Sequence, residues 1–319
     1  MVCTMGSGQQ DVRVSINTDD EFYVTASGQR IRVQRRNIGN GDPLILINGI
    51  GAAIEMWQPL VDELDERELI SLDLPGCGLS PTPLIPVRLP RIATLVTEVM
   101  DALDLERADI LGYSFGGVVA MELTHRFPDR VHRLILASTV PGAPAAVPHP
   151  AVFALMLSPL RYYHRRAAEL IIPLIAGGRT AYDRRQMRAG LHDRLKRPPP
   201  VRGYAYQLLA MSAFTSWPWL HRIPHRTLIV HGRDDPVSPA LNGRLLTATM
   251  PNARLLMVAG GGHLLLLDEP GRVAPAFVEF LEPARPPTVQ DEVCGRRARS
   301  SMRRSTTQQR RKERDNCGD

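Results

Sequence analysis

Two periodicities alternate along the first part of the chain. Short apolar runs at residues 21–26, 31–36, 44–47, 69–73, 110–113 and 133–138 have the length of strands. Apolar residues recur at helical spacing over 54–64, 89–105 and 115–127. The first two runs read as a hairpin. The later ones are apolar at nearly every position, as expected of strands covered on both faces. The alternation stops near Pro141 and resumes after residue 224, with strands at 227–231 and 254–258 and helices over 240–250 and 273–281. Strand–helix repetition of this kind predicts an α/β fold: a mostly parallel, eight-stranded sheet with helices on both faces.

The interruption is itself informative. Residues 141–224 are rich in proline, aromatics and arginine and contain no clear strand. A helical insertion before the last two strands is expected to cap the C-terminal edge of the sheet, where open α/β sheets bind ligands. The predicted organisation is therefore a flexible N-terminus over 1–19, a core over 20–140 and 225–283, and a helical cap over 141–224. Beyond Pro283 the chain turns polar and arginine-rich, so a disordered basic tail is expected over 284–319.

Charge changes this picture in one respect. The cap carries twelve Arg/Lys against three Asp/Glu and the tail ten against five, whereas the whole chain is only +6. The rest of the chain is mildly acidic, so positive charge is concentrated in the cap and the tail. Composition, at 44% hydrophobic and 23% charged, is that of a globular protein. The first residues lack a signal-peptide pattern and no apolar run reaches membrane-spanning length. The four cysteines, Cys3, Cys77, Cys294 and Cys317, form neither a disulfide framework nor a zinc spacing. A cytoplasmic protein with no metal and no cofactor is expected. The tail's arginines lack interleaved aromatics, so no nucleic-acid partner is expected.

The chemistry is concentrated in three loops. Gly112-Tyr113-Ser114-Phe115-Gly116 follows a predicted strand and opens a predicted helix, the setting in which GxSxG forms a nucleophile elbow. Small flanking residues permit the sharp turn, and the helix N-terminus favours developing negative charge beside Ser114. A serine nucleophile needs a base, and the base needs an orienting acid. Both candidates follow strands after the cap: Asp235, with Asp234 as the alternative, in Gly232-Arg233-Asp234-Asp235-Pro236, and His263 in Gly260-Gly261-Gly262-His263. Neighbouring His231 reads as a structural residue at the strand end. The oxyanion site is expected from the N–H of Phe115 and from the turn Asn48-Gly49-Ile50-Gly51, with Ile50 favoured and Gly49 second.

With these loops in place, the chain resembles the α/β-hydrolase superfamily over about residues 20–282. Segments outside them narrow the resemblance. Asn48-Gly49-Ile50-Gly51-Ala52, Ser158-Pro159-Leu160-Arg161-Tyr162, Gly177-Gly178, Trp219-Leu220-His221 and Pro251-Asn252-Ala253 are similar to those of intracellular medium-chain-length polyhydroxyalkanoate depolymerases. Phe115 stands where that family carries Trp. The resemblance implies a cofactor-free Ser114–Asp235–His263 triad acting on esters of 3-hydroxy fatty acids. Other triad activities share this architecture, among them thioesterase, acyltransferase, carbon–carbon hydrolase and cofactor-free haloperoxidase; a non-catalytic binding protein is the remaining alternative. Within the cap, Phe153, Met156 and Met211 are expected to line an acyl tunnel. The cap's positive charge predicts attraction to an anionic granule or membrane surface.

Overall fold

A computed structural model of the chain describes residues 15–17 and 21–282. The described residues up to Val278 fall within one compact unit. The second unit, Glu279–Asp319, is described only as far as residue 282, so the expected basic tail lies outside the described residues.

The sheet has the eight expected strands: β2 (Glu21–Ala26), β3 (Gln29–Arg36), β4 (Leu44–Ile47), β5 (Leu69–Leu72), β6 (Ala108–Tyr113), β7 (Val131–Ala137), β8 (Thr227–Gly232) and β9 (Ala253–Val258). A ninth, β1 (Ser15–Asn17), pairs antiparallel with β2 at the edge, inside the segment expected to be flexible. The order is β1-β2-β3-β5-β4-β6-β7-β8-β9. The first three strands run antiparallel to their neighbours, and the sheet is parallel from β5 to β9. Strands β4, β5, β6 and β8 are buried at every residue, as their continuous apolar runs require.

The helices are α1 (Gln58–Val61), α2 (Leu89–Ala102), α3 (Phe115–Arg126), four in the cap, then α8 (Leu241–Thr249), α9 (Leu265–Asp268) and α10 (Ala274–Leu281). The cap helices are α4 (Pro150–Met156), α5 (Arg165–Ala176), α6 (Arg184–Lys196) and α7 (Val201–Ser212). The single helix expected over 54–64 is instead a 3-10 turn, Ile54–Trp57, followed by one α-helical turn. Pro59 explains the difference. It has no N–H to donate and its ring crowds the carbonyl one turn back, which breaks the helical ladder. Helix α3 is buried from Phe115 to Thr124, so it packs on all sides rather than along one stripe.

From β4 the chain leaves toward β5 on one side of the sheet, and it returns to β6 on the other. That reversal is a topological switch point, and it opens a crevice at the C-terminal ends of β4 and β6. The residues after β4 and β6 are Asn48 and Ser114.

Candidate active site

Ser114 sits between β6 and α3 with φ 53° and ψ −115°, a conformation non-glycine residues rarely adopt. Such a residue stores roughly 1–3 kcal/mol of strain, which the surroundings must offset. Its N–H donates to the Ala137 carbonyl of β7 at 2.9 Å. Its own carbonyl accepts from the Gly117 N–H at 3.0 Å and the Thr139 hydroxyl at 2.7 Å. Gly116 allows α3 to start against β4: a Cβ there would stand 1.9 Å from the Ile47 carbonyl oxygen.

His263 meets Ser114 from the loop after β9. Its Nε2 lies 3.1 Å from Ser114 Oγ, and its Nδ1 lies 2.9 and 3.1 Å from the two Asp235 carboxylate oxygens. With Nδ1–H donating to the carboxylate, the Nε2 lone pair faces the serine hydroxyl. Asp235 is buried, and its Oδ1 also accepts from the Val237 and Ser238 N–H groups at 2.9 and 2.8 Å. Asp234 has an exposed side chain and binds through its backbone, its N–H donating to the Gly261 carbonyl at 2.9 Å. Of the two adjacent acids, Asp235 is therefore the one that meets His263.

The histidine is held on several sides. Its N–H donates to the Ala176 carbonyl at the end of α5, at 2.6 Å, and its carbonyl accepts from the Tyr113 hydroxyl at 3.0 Å. The Tyr113 ring lies 5.5 Å from the imidazole between centroids, with Trp57 edge-on behind it at 6.1 Å. Burial, and after it the Asp235 charge, push the Tyr113 pKa well above the usual phenol value, so the hydroxyl remains a donor. No sequence signal picked out Tyr113 or Trp57. Both look like ordinary core aromatics in the chain.

His231 is fully buried and its Nε2 donates to the Ser238 carbonyl at 2.7 Å. Its Nδ1 is buried with no partner among the described residues. Desolvation lowers its pKa below 6.5, only partly opposed by Asp235, whose Oδ2 lies 3.7 Å away. Burial thus disfavours the charged imidazole in the fold, and the group takes up a proton more readily when unfolded. Stability from this group is full above about pH 6.5 and falls as pH drops through that value. In His231→Gln, whose amide can keep the bond to Ser238, the fall in Tm between pH 7.5 and 5 should be shallower. Identical slopes in thermal melts of the two proteins would refute this.

Two of the N–H groups expected at an oxyanion site have no hydrogen-bond partner among the described residues. Phe115 is the first helical residue of α3, where the N–H has no intrahelical acceptor. The Ile50 N–H has no hydrogen-bond partner among the described residues. Gly49 differs from expectation: its N–H donates to Asn48 Oδ1 at 2.8 Å, so it is already occupied. Gly49 still matters by its size, because a Cβ there would crowd the Tyr113 ring at 3.2 and 3.3 Å.

The cap reaches all these loops. The chain leaving α5 passes Gly177 and Gly178 between the acid and histidine loops, and Arg179 N–H donates to the Gly260 carbonyl at 2.9 Å. Of the residues expected to line an acyl tunnel, Phe153 is 53% exposed and Met156 and Met211 are half-buried. Phe153 therefore occupies an open cap surface, not the wall of a closed tunnel. Its helix, α4, buries no residue.

Asp42, Asp109 and His132 bring ligand atoms within 4.8 Å of one another, although sequence spacing gave no sign of it. They gather at the opposite edge of the sheet, where β6 and β7 begin. Arg67 and Arg133 bind the Asp109 carboxylate at 2.6 and 2.8 Å, so the group is an ion-pair network. Among the described residues, no helix is long and apolar enough to cross a membrane.

The family profile of the alpha/beta hydrolase fold matches residues 42–270. The chain belongs to the alpha/beta hydrolase family. It is 38% identical over 244 residues to a poly(3-hydroxyalkanoate) depolymerase of Ectopseudomonas oleovorans, covering 76% of this chain and 85% of the relative. A 2-hydroxymuconate semialdehyde hydrolase of Pseudomonas sp. (strain CF600) is 28% identical over 272 residues, covering 80% and 92%. Among solved structures, a hydrolase from Pseudomonas aeruginosa PA01 superposes with a TM-score of 0.72 at 25% identity, over 84% of this chain and 100% of that one. An esterase from Exiguobacterium antarcticum gives 0.70 at 23% identity, over 82% and 99%. The resemblance read from the segments around the loops and in the cap is thus borne out.

Proposed function

We propose that this alpha/beta hydrolase cleaves carboxylic esters through Ser114, His263 and Asp235, and that 3-hydroxyacyl esters, including polyesters, are its substrate class. The observation that carries the reading is the relay from Ser114 Oγ through His263 to Asp235, at 3.1 and 2.9 Å, beside a helix N-terminus.

In the proposed cycle, Ser114 Oγ attacks the ester carbonyl as its proton passes to His263 Nε2. The carbonyl oxygen takes up negative charge and is met by the Phe115 and Ile50 N–H groups. Collapse breaks the ester C–O bond, and His263 returns the proton to the leaving alcohol. Water then attacks the acyl-enzyme, with His263 as base, and releases the acid. Asp235 holds the imidazole in the required tautomer throughout.

The similarity to the poly(3-hydroxyalkanoate) depolymerase supports the substrate class. The exposed Phe153, Leu157, Leu170 and Leu174 in a cap with strong positive charge favour an interfacial, anionic substrate surface. Hydrolysis of p-nitrophenyl esters of increasing chain length, beside clearing of a poly(3-hydroxyalkanoate) suspension, tests the proposal. Turnover should favour medium chains and the suspension should clear. Cleavage of short soluble esters alone would remove the polyester assignment. Activity confined to 2-hydroxymuconate semialdehyde, the compound named for the second relative, would remove the ester assignment as well.

A further inference from the structure

The Ile50 N–H is carried by a tight turn. Ala52 N–H donates to the Gly49 carbonyl at 3.2 Å, Gly51 has φ 70°, and Ile50 stays on the negative side of φ. Gly49–Ala52 is therefore a type II turn with Ile50 and Gly51 at its corner. Type I and type II turns differ by a rotation of about 180° of the peptide joining these two residues, and glycine at the second corner position leaves both forms open. Local chemistry alone does not choose between them.

The cap grips both ends of that peptide. The Tyr162 hydroxyl donates to the Ile50 carbonyl at 2.9 Å, and Gln207 Oε1 accepts from the Gly51 N–H at 2.9 Å. Both side chains are buried and held in turn. Gln207 Nε2 donates to Cys77 Sγ at 2.9 Å, so the amide orientation is set from the far side. The buried Arg161 guanidinium lies 4.6 Å from the Tyr162 ring centroid and donates to the Tyr204 hydroxyl at 3.0 Å. Tyr204 closes over Gly51, where a Cβ would stand 2.7 Å from its ring.

We infer that Tyr162 and Gln207 are positioning residues of the oxyanion site, locking the Ile50–Gly51 peptide and so the type II form of the turn that carries the Ile50 N–H. The inference rests on the ester-hydrolase reading of Ser114. Reversing this peptide rotates ψ of Ile50 and φ of Gly51. The Ile50 N–H lies in the preceding Gly49–Ile50 peptide, which shares the Ile50 Cα, so holding the type II form fixes the frame on which that donor is carried. The negative charge it would meet develops only in the transition state. Loosening the grip should therefore lower kcat and leave KM nearly unchanged.

Tyr162→Phe removes only the hydroxyl and keeps the ring against Arg161; Gln207→Met keeps the length and removes both polar atoms. For each variant, kcat and KM on the best p-nitrophenyl ester, affinity for a trifluoromethyl ketone that forms a tetrahedral adduct, and Tm are measured. A kcat fall of roughly 10–100-fold, with matching weakening of the ketone and KM within about twofold, is expected. Unchanged kcat and ketone affinity would overturn the inference, as would a loss confined to Tm or KM. Fluorophosphonate labelling of Ser114 and ester turnover in the unmodified chain separate the two claims. If both are absent, the ester-hydrolase reading fails and the positioning role falls with it. If both are present and Tyr162→Phe is silent, only the positioning role fails.

Discussion

Ser114→Ala should lower ester turnover by about 10⁴- to 10⁶-fold while leaving the fold intact. The size of the loss follows from what remains. Without Oγ no acyl-enzyme forms, and any residual rate depends on the free N–H groups polarising a carbonyl toward water. The fold should survive because Ser114 is tied to its neighbours through its backbone N–H and carbonyl, and those bonds do not involve the side chain. The hydroxyl's hydrogen bond in the site is to His263 at 3.1 Å. Steady-state kinetics on a p-nitrophenyl ester, with circular dichroism and a thermal melt, checks both halves. Near-normal turnover by a folded Ser114→Ala protein would end the assignment of Ser114 as nucleophile.

Gly262→Ala should affect stability and activity together. The added Cβ would stand 1.9 Å from the Ala176 carbonyl oxygen, a backbone atom that cannot swing away as a side chain would. The same carbonyl accepts from the His263 N–H, so any retreat of α5 moves His263. Overpacking of this severity costs about 3 kcal/mol, a fall of roughly 6–12 °C in Tm for a domain of this size. Misplacement of His263 by about 1 Å adds a loss of roughly 10²-fold in kcat/KM. Gly271→Ala is the matched control. Its Cβ would be 3.4 Å from Glu63 Oε1, an ordinary contact, and it should be close to neutral. A Gly262→Ala protein with unchanged Tm and turnover would show that the cap and the histidine loop are not interlocked as described.

Much of this architecture is legible in the chain because its signals are local. Continuous apolar runs such as Leu44–Ile47 can be satisfied only by a strand covered on both faces. The elbow is readable from Gly112 to Gly116 because one strained backbone geometry demands small flanking residues. The one misread core helix, over 54–64, was also local in origin, since Pro59 interrupts it.

The cap is different. Its prolines and aromatics mark it as an insertion, but they do not say which of its side chains matter. Tyr162 and Gln207 act on a turn more than a hundred residues earlier, and no periodicity connects them to it. Tyr113 supports His263 from 150 residues away in the chain. The sequence favours Asp235 over Asp234, two carboxylates in one loop; packing is what turns Asp235 inward onto His263.

The residue order and types therefore establish an α/β sheet, a serine elbow and the presence of an acid and a histidine beyond the cap. Spacing and side-chain size are enough for this, because each of these features is closed within a short segment. Tertiary structure alone decides how Asp235 meets His263, that the Gly49 N–H is already taken by Asn48, and that the cap holds the turn carrying Ile50. Each depends on which distant groups come within about 3 Å of each other. Hydrogen bonds of that length are specified by packing of the whole chain, not by any stretch of it.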